Sequence, residues 1–185
     1  MRMPRLRVGT VVVLAVAAGV ITWVVVDQTG GSSTPSATSP PPPALAGRTV
    51  VGLSPQGLKT LAGALRQPIY WVGPKQGYTY EVTRTPSNGN IYVRYLPPGV
   101  KVNDSRPNFL IIGTYPFANA FQALKKAAQG REISLSDGGI AVVDQAYPKS
   151  VHMSWRGVNF QIEVYDPSPQ RSLAIAVSGQ VRPVR

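Results

Sequence analysis

Cysteine is absent from the chain, histidine occurs once, and the acidic residues number 8 against 19 lysines and arginines. Each shortage excludes something. Without cysteine there is neither a disulfide framework nor a lipid-modified cysteine anchor, so the folded part must be held by an apolar core. Metal sites need clustered His, Cys and carboxylates; with His152 alone and the acids scattered, no metal and no cofactor is expected. Loops with alternating Asp ligands for calcium are missing. Phosphate-cradling motifs are missing too, because Gly138-Gly139 reads as a hairpin turn and not as a loop opening a helix.

What the chain does have is a run without charge, residues 8–26. As a helix rising 1.5 Å per residue it would cover roughly 28 Å, close to the hydrocarbon thickness of a bilayer. Arg2, Arg5 and Arg7 precede it and the next basic residue is Arg48, which places the N-terminus in the cytoplasm and the remainder outside. A cleaved signal peptide shares the charged start and apolar core. Its small-x-small cleavage pattern, however, falls inside the run at Ala15-Val16-Ala17 or far beyond it at Ala44-Leu45-Ala46. The expected layout is a cytoplasmic N-terminus at 1–7, a transmembrane signal-anchor helix at 8–26, a disordered Ser/Thr/Pro-rich linker at 27–47 and an extracytoplasmic domain at 48–185. The linker, with Pro40 to Pro43 consecutive, has nothing with which to bury an apolar face.

The net charge is +11. Setting aside Arg2, Arg5 and Arg7 leaves 16 basic against 8 acidic residues beyond the anchor, an excess of +8. Such a surface is drawn to anionic lipid, acidic envelope polymers or acidic proteins. Nucleic acid, the usual partner of a basic domain, is not expected outside the cell.

Within the domain, Ser54-Pro55 and Ser168-Pro169 are helix starts, a capping hydroxyl followed by proline at the first helical position. Leu58, Leu61, Ala62 and Leu65 give the first helix one apolar stripe. A middle helix is expected to open at Tyr115-Pro116 and close at Gly130, with Phe117, Ala120, Phe121, Leu124 and Ala128 on one side. Residues 69–72 and 181–184 read as short strands, and 109–114, apolar on both faces, as a central one. Three hairpins are expected, around Asn88-Gly89, Asp137-Gly138 and Arg156-Gly157. In the first, Val82 would face Tyr95, and Tyr80, Val82, Ile91, Val93 and Tyr95 would share a face, leaving Glu81 and Arg94 as diagonal neighbours opposite. In the second, Ile133, Leu135, Ile140 and Val142 would share a face. In the third, Val151, Met153, Ile162 and Val164 would, with His152 opposite Gln161. Hairpin, strand and helix recur, and Ser-Pro-Gln opens two helices, hinting at a repeat. The fold class that follows is α+β: an antiparallel β-sheet of hairpins with about three short helices packed on one face.

Two groups of residues carry candidate chemistry. His152 with Glu163 or Ser154 is the one grouping that could serve an envelope hydrolase, provided a concave pocket surrounds it. Tyr92 and Arg94, on the polar face of the first hairpin where aromatics and arginine are dense, are the candidates for a binding surface. The arginine-led anchor, the Thr/Ser/Pro tether and the segments 78–84, 91–99 and 165–169 together resemble single-pass membrane-anchored extracytoplasmic proteins of high-GC Gram-positive bacteria. Thirteen arginines against six lysines fit a GC-rich genome. That resemblance implies a location at the cell envelope and no named activity. The expected role is non-enzymatic, binding a protein partner or an anionic envelope polymer through the basic surface. A transmembrane receptor is disfavoured because residues 1–7 offer little with which to signal.

Overall fold

A computed structural model describes residues 12–17, 20–25 and 49–185. The chain divides into two units, Met1–Pro40 and Pro41–Arg185. In the first, β1 (Val12–Ala17) and β2 (Val20–Val25) pair antiparallel. The other residues of the expected membrane helix, and the whole of the tether expected over 27–47, lie outside the described residues. Among the described residues no helix is long and apolar enough to cross a membrane.

The second unit is α+β. Its elements run β3 (Thr49–Leu53), α1 (Pro55–Ala64), β4 (Tyr70–Trp71), β5 (Thr79–Arg84), β6 (Ile91–Leu96), β7 (Ile111–Pro116), α2 (Ala120–Ala128), β8 (Ile133–Ser134), β9 (Ile140–Val143), β10 (Ser150–Ser154), β11 (Phe160–Tyr165), α3 (Pro169–Val177) and β12 (Arg182–Pro183). Eight strands form one antiparallel sheet in the order β3-β5-β6-β7-β11-β10-β9-β8, and β4 pairs with β12 apart from it. A three-stranded meander followed by a helix occurs twice, as β5-β6-β7-α2 and β9-β10-β11-α3, and the two meet at the central β7–β11 pair. The Ser-Pro-Gln motifs do not mark this repeat, since they open α1 and α3, whereas the equivalent helices are α2 and α3.

The core follows from one row of residues. Val51, Val82, Val93, Ile112, Val164, Val151 and Val143 lie directly opposite one another across seven strands. All are β-branched, the side chains that pack best on a pleated surface. Each of those that is fully buried contributes roughly 1.5–3 kcal/mol. Leu58 of α1, Ala176 of α3, and Ile69, Tyr70, Trp71, Val181 and Val184 from the β4–β12 region close over this face. Helices α1 and α3 start as their sequences demand. The Ser54 hydroxyl accepts from the Gly57 N–H at 3.1 Å and the Ser168 hydroxyl from the Arg171 N–H at 3.3 Å, each with proline in the first turn.

Four expectations are corrected. The strand expected to end before Tyr115-Pro116 runs through both, because Tyr115 and Pro116 pair with Gln161 and Phe160 of β11. Helix α2 therefore begins only at Ala120, behind an Asn119 in the left-handed region (φ 56°) that makes no side-chain cap. The first and third hairpins are each shifted by two residues: Val82 faces Val93 and His152 faces Glu163. In the first, Pro86 and Gly89 (φ 72°) build a longer connection in which the Gly89 N–H donates to the Thr85 carbonyl at 2.9 Å. An even shift preserves parity, so the expected apolar faces survive. The second hairpin is shifted by one, with Ile133 opposite Ala141. Its Gly138, at φ 82°, is the left-handed residue of a three-residue loop. Ile140 consequently points away from Ala141 and packs with Phe121 and Leu124 of α2, with Val142 against them. That places α2 on the face opposite α1 and α3, so the helices expected on one face of the sheet are divided between both.

Candidate functional site

One residue along from the apolar row, on the opposite face, stands a second row. Thr83, Tyr92, Gly113, Glu163 and His152 are consecutive cross-strand partners on β5, β6, β7, β11 and β10. Polar residues here alternate with the core by the period of two that any strand imposes. They are nevertheless covered. Helix α2 packs over the β9–β10 end, and the long connection 97–110 is fastened over the β5–β6 end.

The fastening is a buried ion pair. Arg94 Nη1 lies 2.5 Å from Glu81 Oε1, with side-chain exposures of 12% and 0%. Arg94 Nη2 donates to the carbonyls of Asp104 at 2.8 Å and Arg106 at 3.1 Å, and Glu81 Oε2 accepts from the Asn103 N–H at 2.5 Å. The guanidinium also rests over the Phe109 ring, 5.0 Å from its centroid. Glu81 and Arg94 are directly opposite, not diagonal as expected from a two-residue turn. Of the two residues expected to offer a binding surface, Arg94 is thus engaged in holding this connection. Tyr92 is 8% exposed and meets Tyr115 edge-on at 5.7 Å.

The centre of the row is organised by a residue with no side chain. A Cβ on Gly113 would collide with the Tyr115 ring, which lies back over it. The vacancy brings the Tyr115 hydroxyl to Glu163 Oε2, to which it donates a very short hydrogen bond. Glu163 Oε1 accepts from the Ser150 hydroxyl at 2.5 Å. Burial, reinforced by the nearby Glu163 carboxylate and by Tyr92, pushes the Tyr115 hydroxyl well above the usual tyrosine range. Sequence reasoning missed Tyr115, Gly113 and Ser150; the available signal was a glycine two residues before a tyrosine inside a strand.

His152 is 3% exposed. Its Nδ1 is 2.9 Å from the Gln161 Nε2. With that amide donating, the ring proton sits on Nε2, which meets no partner among the described residues. The expected Glu-His-Ser grouping is brought to one face but not joined. Glu163 is occupied by Tyr115 and Ser150, His152 by Gln161, and the Ser154 hydroxyl donates to the Phe160 carbonyl at 3.1 Å. Nucleophilic catalysis needs the base in hydrogen-bond reach of the nucleophile. A hollow of about 190 Å³ opens elsewhere, between the start of α2 and the β10–β11 turn, lined by Asn119, Phe121, Gln122, Arg156, Val158 and Asn159. Among the described residues no three His, Cys, Asp or Glu side chains gather as a metal site would require. Comparison with protein-family models, with curated proteins and with solved structures finds no match for this chain.

Proposed function

We propose that this is a membrane-tethered, extracytoplasmic binding domain of the cell envelope, acting without catalysis through its basic surface on an anionic envelope polymer. The observation that carries the reading is the charge left over after folding. Among the described residues the ion pairs are Arg94–Glu81, Arg106–Asp104 and Arg171–Asp166. All six lysines lie in the second unit, and none forms an ion pair with a carboxylate among the described residues. Unneutralised charge of one sign raises the local concentration of polyanions. Anchoring by 8–26 is supported by the sequence: an uncharged run of this length spans a bilayer when it is helical.

Co-sedimentation of residues 41–185 with a carboxylate- or phosphate-bearing envelope polymer, against a neutral polysaccharide, tests this reading. Binding to the anionic polymer alone is expected at low salt. It should disappear as the Debye length falls from about 30 Å at 0.01 M to about 3 Å at 1 M salt. No binding at either salt, or equal binding to the neutral polymer, refutes it.

A further inference from the structure

We infer that β3 is a pairing edge for a second copy of this chain. An open sheet has two edges, and among the described residues these are β3 and β8. Edge strands are ordinarily guarded by shortness, charge, proline or a bulge. Strand β8 is guarded by shortness: it has 2 residues. Strand β3 is not. It has 5 residues, Thr-Val-Val-Gly-Leu, with neither charge nor proline. It pairs with β5 in five consecutive partners without a bulge. Val51 on it is 38% exposed, one of three exposed large hydrophobics among the described residues. Its outer edge presents alternate N–H and C=O groups that need a strand.

The chain's own upstream segment is a poor occupant. Pro40 to Pro43 have no N–H to contribute. A second β3 fits. Antiparallel pairing of identical strands is closed by a twofold axis. Because the other edge is guarded, assembly stops at the dimer. Centred on Val51, the pairing sets Thr49 of one copy against Leu53 of the other. At Thr49 the two copies then lie roughly 14 Å apart, four steps at 3.4 Å per residue, so both can be anchored in one membrane. Anchoring raises the effective concentration; the pairing itself does not depend on it.

Since the chain has no cysteine, introduced ones report cleanly. The full chain carrying Val51→Cys, reconstituted in lipid vesicles and oxidised, is expected to give a covalent dimer, because antiparallel partners sit within disulfide reach. The Ser134→Cys chain, on the guarded edge, should give none. Adding Val50→Pro to Val51→Cys should abolish the dimer. Amide exchange on the intact chain gives a second readout: β3 should be protected at high protein-to-lipid ratio and lose that protection when diluted into excess lipid. Equal crosslinking at Val51 and Ser134, no crosslinking at Val51, a dimer that survives Val50→Pro in a folded chain, or β3 exchange independent of dilution would each overturn the inference.

Discussion

Replacing Arg94 by methionine removes a cation from Glu81 while keeping much of the apolar stem. The Glu81 carboxylate is fully buried and is left with the Asn103 N–H as partner. Removing one member of a buried pair typically costs about 3–5 kcal/mol, because the other charge is stranded away from water. Set against a domain stability of about 5–15 kcal/mol, that is a large fraction. With a urea dependence near 2 kcal/mol per M, the unfolding midpoint should fall by about 2 M, and Tm by about 10–15 °C. The companion Glu81→Leu/Arg94→Met should recover most of the loss, since an apolar pair of similar volume is often neutral or stabilising. Urea and thermal unfolding of residues 41–185, followed through Trp71 and Trp155, measures both. A loss below about 1 kcal/mol for Arg94→Met, the value of an exposed pair, would refute the reasoning, as would a double variant no more stable than the single one.

Further expectations concern the polar row and the caps. Gly113→Ala should cost about 1–3 kcal/mol, the usual price of overpacking, and should shift the Tyr115 ring resonances; unchanged resonances would contradict the described packing. Burial raises Tyr115 and Tyr95 above the ordinary tyrosine value. Their contribution is therefore complete below about pH 10 and is lost as pH climbs above it, where the unfolded chain ionises first. Ultraviolet titration of the folded domain showing every tyrosine ionising near 10 would sink this. Hydrogen bonds from Arg106 hold the Asp104 carboxyl at about 2, so its contribution persists above the ordinary aspartate range and fades only as pH falls toward that value; a carbon-13 titration midpoint near 4 would be incompatible. Ser54→Ala and Ser168→Ala should each cost about 1 kcal/mol in urea unfolding, and a loss confined to one would show that only that hydroxyl caps.

The sequence by itself determined what depends on neighbours along the chain. Ser-Pro starts, glycines at positive φ and the alternation of apolar residues located α1, α3 and most strands, because capping, turn conformation and strand parity are local properties. Parity in the first and third hairpins survived a two-residue error in register, since side chains repeat every two residues. The charge imbalance is likewise a sequence property, and the expectations of an anchor at 8–26 and a tether at 27–47 rest on the sequence alone. What only the tertiary structure decided depends on burial from both sides of the sheet. At β9 both faces are covered, so Ile140 and Ala141 are each buried and alternation no longer reveals which points where. The choice of face for α2 is settled there, by Phe121 and Leu124 against Ile140. The polar row was equally hidden. Tyr92 and His152 read as solvent-facing by parity, yet α2 and the connection 97–110 cover that face. Arg94 could not be seen as a fastening until Glu81 stood directly across from it. Nor does Gly113 with Tyr115 announce what will receive the tyrosine hydroxyl, because Glu163 comes alongside only when β7 and β11 pair.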